Sequence, residues 1–233
     1  FAGKIVLCKR GVIARVDKSH AVQLADGVGM VLYNPDDLQA LVTDNHFVPS
    51  VHINFTNGSA VKDYIAAPGT ATAEISAGSP AADPGSVMAD FSSRGPNGAA
   101  GDIIKPDVTA PGVNILAGNT PTPFISRPGE LFQSISGTSM SSPHVAGVGA
   151  LLKQLHPDWG LEEIKSALMT TGRQDVVKED GVTPGDLFDF GGGHIVPNSA
   201  AEPGLAFDAD DPGVPGNGNF RAYLAFLCGA APF

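Results

Sequence analysis

With 233 residues, the chain has the length of one or two domains, and its glycine and proline content (29 and 19 residues) excludes a helical bundle or coiled coil. Acidic side chains outnumber basic ones by 24 to 14, so the surface should repel a phosphate backbone and nucleic acid is not an expected partner. No apolar run approaches the length of a transmembrane helix, so we expect no membrane-spanning segment.

The first third of the chain alternates between strand-like and helix-like segments. Short β-branched or apolar runs predict strands at residues 4–8, 28–33 and 51–55. Helical spacing predicts one helix over residues 12–26, ended by Gly27 because glycine readily takes the left-handed conformation. A turn at residues 56–59 should lead into a second helix. Strands separated by helices predict an α/β fold.

The second half contains the strongest helical signal, at residues 136–155. Apolar residues occur on nearly every side of this stretch, which predicts a buried helix. Pro143 is then expected in the first turn, where its missing N–H is not needed. A second, amphipathic helix is predicted at residues 162–171 and a glycine-containing strand at residues 188–195.

The segment GTSMSSPHVAG, residues 137–147, is where chemistry is best supported. Ser139 lies at the start of a predicted helix, where unpaired backbone N–H groups can stabilise an oxyanion beside a serine nucleophile. Gly137 leaves room for a substrate backbone. The alternative is that Ser139 only caps the helix, and because serine is a preferred cap the residues alone favour that interpretation.

The same segment resembles the nucleophile motif of the subtilases, the subtilisin-like serine peptidases. The resemblance continues, in the order of that family, through ADFSSRGPN (89–97), KPDVTAPGVNILA (105–117), HPDWGLEEIKSALMTTG (156–172) and FDFGGGHIVPNSA (188–200). GKIVLCKRG and AVKDYIA, within residues 3–67, resemble the protease-associated domain that plant-type members and their bacterial relatives carry as an insert.

The resemblance implies an α/β fold in three parts: a protease-associated domain truncated at its N-terminal side (1–77), the C-terminal half of a parallel-sheet catalytic domain (78–204), and a connector (205–233). It implies that Ser139 is the acylating nucleophile, that its N–H forms half of an oxyanion hole, and that Gly137 and Thr138 assist substrate and oxyanion binding. Protein or peptide substrates and an extracellular location are also implied.

The other members of the catalytic machinery are not recognisable in this chain. In the family, the triad Asp and His and the oxyanion Asn precede the insert, so we expect them upstream of Phe1 and expect the isolated chain to be inactive. The missing N-terminal half of the catalytic domain is therefore an expected partner. The alternative is a non-catalytic interaction module that acts through its protease-associated domain, by which a homodimer could also form.

Candidate metal ligands and cysteine pairs give weaker signals. The six histidines are scattered without the spacing of metal ligands, so no metal site and no cofactor are predicted. His144, five residues after Ser139, is expected to be structural and not a member of a triad. Cys8 and Cys228 allow at most one disulfide, and the sequence leaves open whether they meet.

Overall fold

The computed structural model describes residues 1–82, 85–98, 103–124 and 126–207. These residues form two compact units. Counting only described residues, the first unit contains 1–82, 89–91, 113–124 and 126–137, and the second contains 85–88, 92–98, 103–112 and 138–207. Within the described ranges, none of the helices combines the length and the apolar character needed to cross a membrane.

The first unit is built on a three-stranded parallel sheet. Its strands, in spatial order, are β1 (Ile5–Lys9), β2 (Gly29–Tyr33) and β3 (Ser50–Ile53). Helix α1 (Arg15–Leu24) connects β1 to β2, as a parallel pair requires, and α2 (Phe55–Ala66) follows β3. The predicted alternation of strands and helices, and with it the α/β class, is confirmed.

The central strand β2 supplies the core of this unit. Met30 is 0% exposed and Leu32 is 1% exposed, and the continuous apolar sequence of β2 is typical of a parallel strand covered on both faces. Val16 and Val22 of α1 are also buried. The sheet is therefore held mainly by its middle strand and the helix that crosses over it.

Two details of the predicted helix ends are wrong. The residue in the left-handed conformation after α1 is Asp26 (φ 58°), not Gly27. Gly27 is needed for space instead, since a Cβ there would lie 2.5 Å from Cγ1 of Val22. The predicted turn at residues 56–59 lies inside α2, because Asn54 already starts that helix by accepting a hydrogen bond from the N–H of Asn57 (2.9 Å).

The first unit also contains a two-stranded antiparallel hairpin. Its strands are β4 (Ile115–Gly118) and β5 (Phe132–Ile135), with Ile115 opposite Ile135. The chain leaves β5 directly toward the segment that contains Ser139. The hairpin therefore directly precedes that segment in the chain.

The second unit is mainly helical in its described part. Its helices are α3 (Thr138–Leu155), α4 (Leu161–Thr170), α5 (Leu187–Phe190) and α6 (Pro197–Ala201). The main core cluster lies among α3, α4 and α6 and consists of Leu152, Ala167, Leu168, Ile195 and Ala200. The predicted helices at 136–155 and 162–171 are thus present, with ends shifted by one or two residues.

The prediction that α3 is buried on nearly every side is wrong for the described chain. Leu152 is its fully buried residue, whereas Leu151 and Leu155 are 62% and 56% exposed. A Cβ built on Gly147 would meet no atom within 4 Å. An apolar sequence favours burial, but a helix is buried only where neighbouring elements cover it. Among the described residues, α4 and α6 cover one side of α3.

The predicted strand at residues 188–195 is also wrong. Its first residues belong to α5, and a glycine-rich turn follows. Gly191 (φ 65°) and Gly193 (φ 125°) have backbone conformations that a strand does not use. A Cβ on Gly191 would lie 2.1 Å from the carbonyl oxygen of Pro106, so this glycine permits close backbone contact.

The last part of the chain, residues 208–233, lies outside the described residues, and with it the predicted connector beyond Phe207 and Cys228. Cys8 is a half-buried free thiol, and burial raises its pKa. The boundary between residues 77 and 78 remains a prediction.

Candidate active site

The predicted site residues are consecutive at the start of α3. The chain leaves β5 at Ile135, passes Ser136 and Gly137, and becomes helical at Thr138. Thr138 and Ser139 are exposed, and Gly137 is half-buried. Ser139 is therefore accessible to a molecule approaching the N-terminus of α3.

The position of Ser139 within the helix bears on its alternative role as a cap. The capping residue is the one that precedes the first helical residue, and Ser139 is the second residue of α3. Its N–H is one of the first four in the helix, which have no intrahelical acceptor and lie at the positive end of the helix dipole. This arrangement can stabilise negative charge on an oxygen beside the Ser139 hydroxyl.

Pro143 lies deeper in the helix than the sequence predicts. It is the sixth residue of α3, in the second turn, so the expected first-turn position is wrong. Proline has no N–H to donate to the carbonyl four residues earlier, which here is the carbonyl of Ser139. The carbonyl of Ser139 therefore lacks its usual helical hydrogen bond, and the helix is locally weakened at the candidate nucleophile.

His144 is hydrogen-bonded within its own helix. Its Nδ1 atom donates to the carbonyl oxygen of Met140 at 2.8 Å. Five helical residues turn through about 500°, so His144 is about 140° around the helix axis from Ser139. This geometry does not fit a general base for Ser139.

The other five histidines have partners elsewhere in the two units. Their contacts are His20 with Phe47, His46 with Ser19, His52 with Asn34, His156 with Trp159 and Ala201, and His194 with Ser86. None of these contacts involves Ser139. In the described part of the chain, no three His, Cys, Asp or Glu side chains are arranged to hold a metal ion.

The aspartates near the motifs that resemble the subtilases are likewise engaged in local structure. Asp107 pairs with Lys105 and Lys165; burial raises its pKa, but the two ammonium groups lower it by more. Asp186 caps α5 by accepting from the N–H of Phe188 (2.8 Å). Asp189 is 3% exposed and pairs with Arg94.

One residue near the site was missed by the sequence analysis. Asn114 has a positive φ of 51°, and its N–H donates to the Oγ atom of Ser136 at 2.8 Å. The sequence contains only a weak signal for Asn114: apart from glycine, asparagine is the residue that best tolerates a positive φ. That Ser136 is the hydrogen-bond partner of Asn114 could not be predicted from local sequence.

Comparisons with known proteins identify the family of the chain. A profile described as "Subtilase family" matches residues 53–193, and one described as "PA domain" matches residues 1–61. The chain belongs to the subtilase family. This confirms the resemblance found in the motifs, including the protease-associated domain.

Similar subtilases include plant proteins. The chain is 43% identical over 241 residues to subtilisin-like protease SBT1.3 and 44% identical over 246 residues to subtilisin-like protease SBT1.4, both of Arabidopsis thaliana. Each alignment covers 97% of this chain but 30% of the relative. This subtilase chain therefore spans less than a third of the length of those relatives.

A solved structure also matches the subtilase chain. It is the psychrophilic subtilisin-like protease Apa1 from the Antarctic psychrotroph Pseudoalteromonas sp. AS-11, with a TM-score of 0.34 and 19% identity over 86% of this chain and 35% of that one.

Proposed function

We propose that the chain is part of a serine endopeptidase in which Ser139 forms the acyl-enzyme with a protein or peptide substrate. The observation that carries the proposal is an exposed serine in the first turn of α3, within a chain that belongs to the subtilase family. The Ser139 Oγ attacks the carbonyl carbon of the peptide bond and loses its proton to a base. The protonated base gives this proton to the leaving nitrogen as the tetrahedral intermediate collapses and expels the amine, and water then hydrolyses the ester.

The residues around Ser139 have supporting roles in this proposal. The N–H of Ser139 binds the oxyanion, because it lies in the first turn of α3 where no intrahelical acceptor competes for it. Gly137 has no side chain to obstruct a substrate backbone, and the Thr138 hydroxyl is exposed next to the nucleophile. These groups would hold the substrate carbonyl against Ser139.

We place the general base, its orienting aspartate and the oxyanion asparagine upstream of this chain. All six histidines of the chain have other partners, as described above, and His144 lies on a different side of α3. Removing the histidine of such a triad lowers turnover by about 10⁶-fold in subtilisin itself. The 233-residue chain alone is therefore proposed to be inactive.

The exposed side of α3 supports the proposal that a further segment of the protein packs against this helix. Ala146, Gly147, Ala150, Leu151 and Leu155 are all exposed there. These residues recur every three or four positions, and small side chains allow close approach of another element. We infer that the upstream half of the catalytic domain covers this side of the helix.

Coexpression of this chain with the upstream half tests the proposal. The assembled protein should hydrolyse peptides and be labelled by a fluorophosphonate, and Ser139→Ala should remove both activities. Ser142→Ala is a matched control, since Ser142 is an exposed serine in the same helix, and should leave both unchanged. Retained labelling in Ser139→Ala, or rapid labelling of the isolated chain, would overturn the proposal.

A second candidate function is a non-catalytic interaction module. The first unit is compact by itself and contains the PA-domain match, which favours an independent role for this part of the chain. The specific form of this proposal is a homodimer through the protease-associated domain. Light scattering of the chain at several concentrations, with no proteolysis after coexpression, would support the module over the enzyme.

We also propose an extracellular location, on the basis of family membership. Fractionation of cells that express the complete gene tests it, with the protein expected in the medium. Retention inside the cells would contradict the proposal.

A further inference from the structure

The segment at residues 40–46, which we call the adapter, contains no helix or strand and bonds to two different parts of the first unit. The partners of successive residues alternate between these two parts. The even-numbered residues bond to the strands and strand ends of the parallel sheet and to α1, and the N–H of Ala40 also donates to Asp90 at 3.2 Å. The pairs are Ala40 with Asn34 and Arg10, Val42 with His52, Asp44 with Arg15, and His46 with Ser19.

The odd-numbered residues of the adapter bond to the β4–β5 hairpin. Thr43 Oγ1 donates to the carbonyl of Ser134 at 2.9 Å, and Asn45 Nδ2 donates to the carbonyl of Phe132 at 2.8 Å. The carbonyl of Leu41 accepts from Asn114 Nδ2 at 3.4 Å. The adapter therefore runs beside β5, the strand from which the chain continues to Ser139.

The anchoring on the sheet side is firm. Asn34 is fully buried and its Nδ2 donates to the carbonyl of Gln39 at 2.7 Å, immediately before the adapter. The guanidinium of Arg15 binds both carboxylate oxygens of Asp44, at 2.6 and 3.0 Å. Bidentate pairs of this kind fix orientation as well as distance. The sheet thus holds the adapter in one position against the hairpin.

Asn114 connects the adapter to the chain that enters α3. Its Oδ1 accepts from the N–H of Thr43 (3.1 Å) and from the Ser136 hydroxyl (3.3 Å), and it lies 3.2 Å from Thr43 Oγ1, whose one proton it shares with the carbonyl of Ser134. Its backbone N–H donates to Ser136 Oγ (2.8 Å). A non-glycine residue at positive φ persists only where its surroundings hold it there, and these bonds supply that restraint.

We propose that Asn114 is a positioning residue for the reaction, through which the protease-associated part of the chain fixes the segment leading to Ser139. Ser136, which Asn114 holds, precedes Ser139 by three residues and Gly137 by one. Nucleophilic catalysis is sensitive to displacements of the nucleophile of about 1 Å or less. The inference rests on the proposed role of Ser139 as the nucleophile.

The test uses the assembled peptidase, with this chain joined to its upstream half. Asn114→Gly keeps the positive φ but removes every side-chain bond, and kcat should fall about tenfold because a slightly misplaced nucleophile slows the chemical step. KM should stay within about twofold, since uniform substrate binding is not altered. Asn114→Asp keeps the acceptor oxygen and should recover most of kcat.

A control and a partner variant separate positioning from general stability. Asn119 lies in the same hairpin, where its Nδ2 donates to the carbonyl of Glu130 at 3.1 Å, and Asn119→Gly should leave kcat unchanged. Thr43→Val removes the hydroxyl on the adapter side and should lower kcat. Combined with Asn114→Gly it should add little, because both changes break the same contact.

The outcomes distinguish this inference from the proposed function. If Ser139→Ala retains activity, the nucleophile assignment fails. If Ser139→Ala is inactive but Asn114→Gly has the kcat of the parent, only the positioning role is overturned. Should Asn114→Gly fail to fold, Thr43→Val decides by the same criterion: a lowered kcat at unchanged KM supports the inference, and an unchanged kcat refutes it.

Discussion

The Nε2 atom of His52 lies 2.7 Å from the Oδ1 atom of Asn34, whose side chain is fully buried. Because the amide nitrogen of Asn34 already donates to the carbonyl of Gln39, this oxygen acts as an acceptor and Nε2 carries the proton. The other ring nitrogen lies 3.1 Å from the backbone N of Val42 and 3.0 Å from its carbonyl oxygen. Neutral His52 accepts from that N–H, whereas protonated His52 would donate to the carbonyl.

This contact predicts that the first unit loses stability in mild acid. Burial lowers the pKa of His52, and Arg10 and Arg15 lower it further against the opposing effects of the Val42 carbonyl and Asp44. The unfolded chain, with a histidine pKa of about 6.5, then binds more protons than the folded chain, so stability falls as pH decreases below about 6.5. Burial lowers the pKa of His46 in the same unit, with the same sign.

His52→Gln tests the contribution of this residue, because glutamine can donate to Asn34 but does not titrate. Urea unfolding followed by circular dichroism should show a smaller loss of stability between about pH 7 and pH 5 in the variant than in the parent. Identical pH dependence in the two proteins would contradict the prediction.

In the second unit, Arg94→Ala should be strongly destabilising. The guanidinium lies 3.0 Å from the carboxylate of Asp189, which is 3% exposed and 3.3 Å from Lys178. Burial raises the pKa of Asp189, but the Asp186 N–H, Lys178 and Arg94 lower it by more, so the carboxylate is charged in the folded state. Lys178 still faces Asp189 in the variant, so the cost should be that of a lost hydrogen bond to a charged group, about 1.5–3 kcal/mol.

The fluorescence of Trp159, the one tryptophan of the chain, is a suitable probe of this unfolding. Arg173→Ala is the matched control: the Arg173–Asp175 pair is well exposed, at 57% and 64%, and its loss should not be measurable. Equal losses of unfolding free energy in the two variants would show that the Arg94–Asp189 contact contributes no more stability than an exposed ion pair. Because the pKa of Asp189 is lowered, its contribution should disappear as pH falls below about 4.

Two helical glycines should respond in opposite ways to alanine. In α2, a Cβ on Gly58 would lie 2.4 Å from the Tyr33 side chain, so Gly58→Ala should cost about 1–3 kcal/mol through overpacking. In α3, Gly147 faces open space, and Gly147→Ala should stabilise the isolated chain by up to about 1 kcal/mol through helix propensity. Thermal unfolding of each variant measures both effects. Destabilisation of the isolated chain by Gly147→Ala would count against the exposed face of α3.

The start of α2 depends on one side chain. Asn54 accepts from the N–H of Asn57 at 2.9 Å, and Asn54→Ala should destabilise the first unit by about 1 kcal/mol. Asn57→Ala, an exposed position three residues later, should change stability by less than about 0.5 kcal/mol. If both variants unfold at the same urea concentration, Asn54 does not act as the cap.

Local sequence patterns were enough to predict the family, the α/β alternation of the first unit and the helices that contain Ser139 and Glu162. Such features depend on local order: short motifs, periodicity over a few residues, and turn-forming glycines and prolines. The same local rules misplaced Pro143 and predicted a strand where Gly191 and Gly193 form a turn. Helix starts and glycine conformations depend on neighbours that a short window does not contain.

The residues that surround the segment leading to Ser139 come from distant parts of the chain and became known from the folded structure. Thr43 and Asn114 are 71 positions apart, and Thr43 and Ser134 are 91 apart, yet both pairs are hydrogen-bonded. The exposure of one side of α3 could not be predicted either, since the sequence of an apolar helix is the same whether or not other elements cover it. Contacts between distant segments arise when the whole chain closes on itself, and no local pattern encodes them.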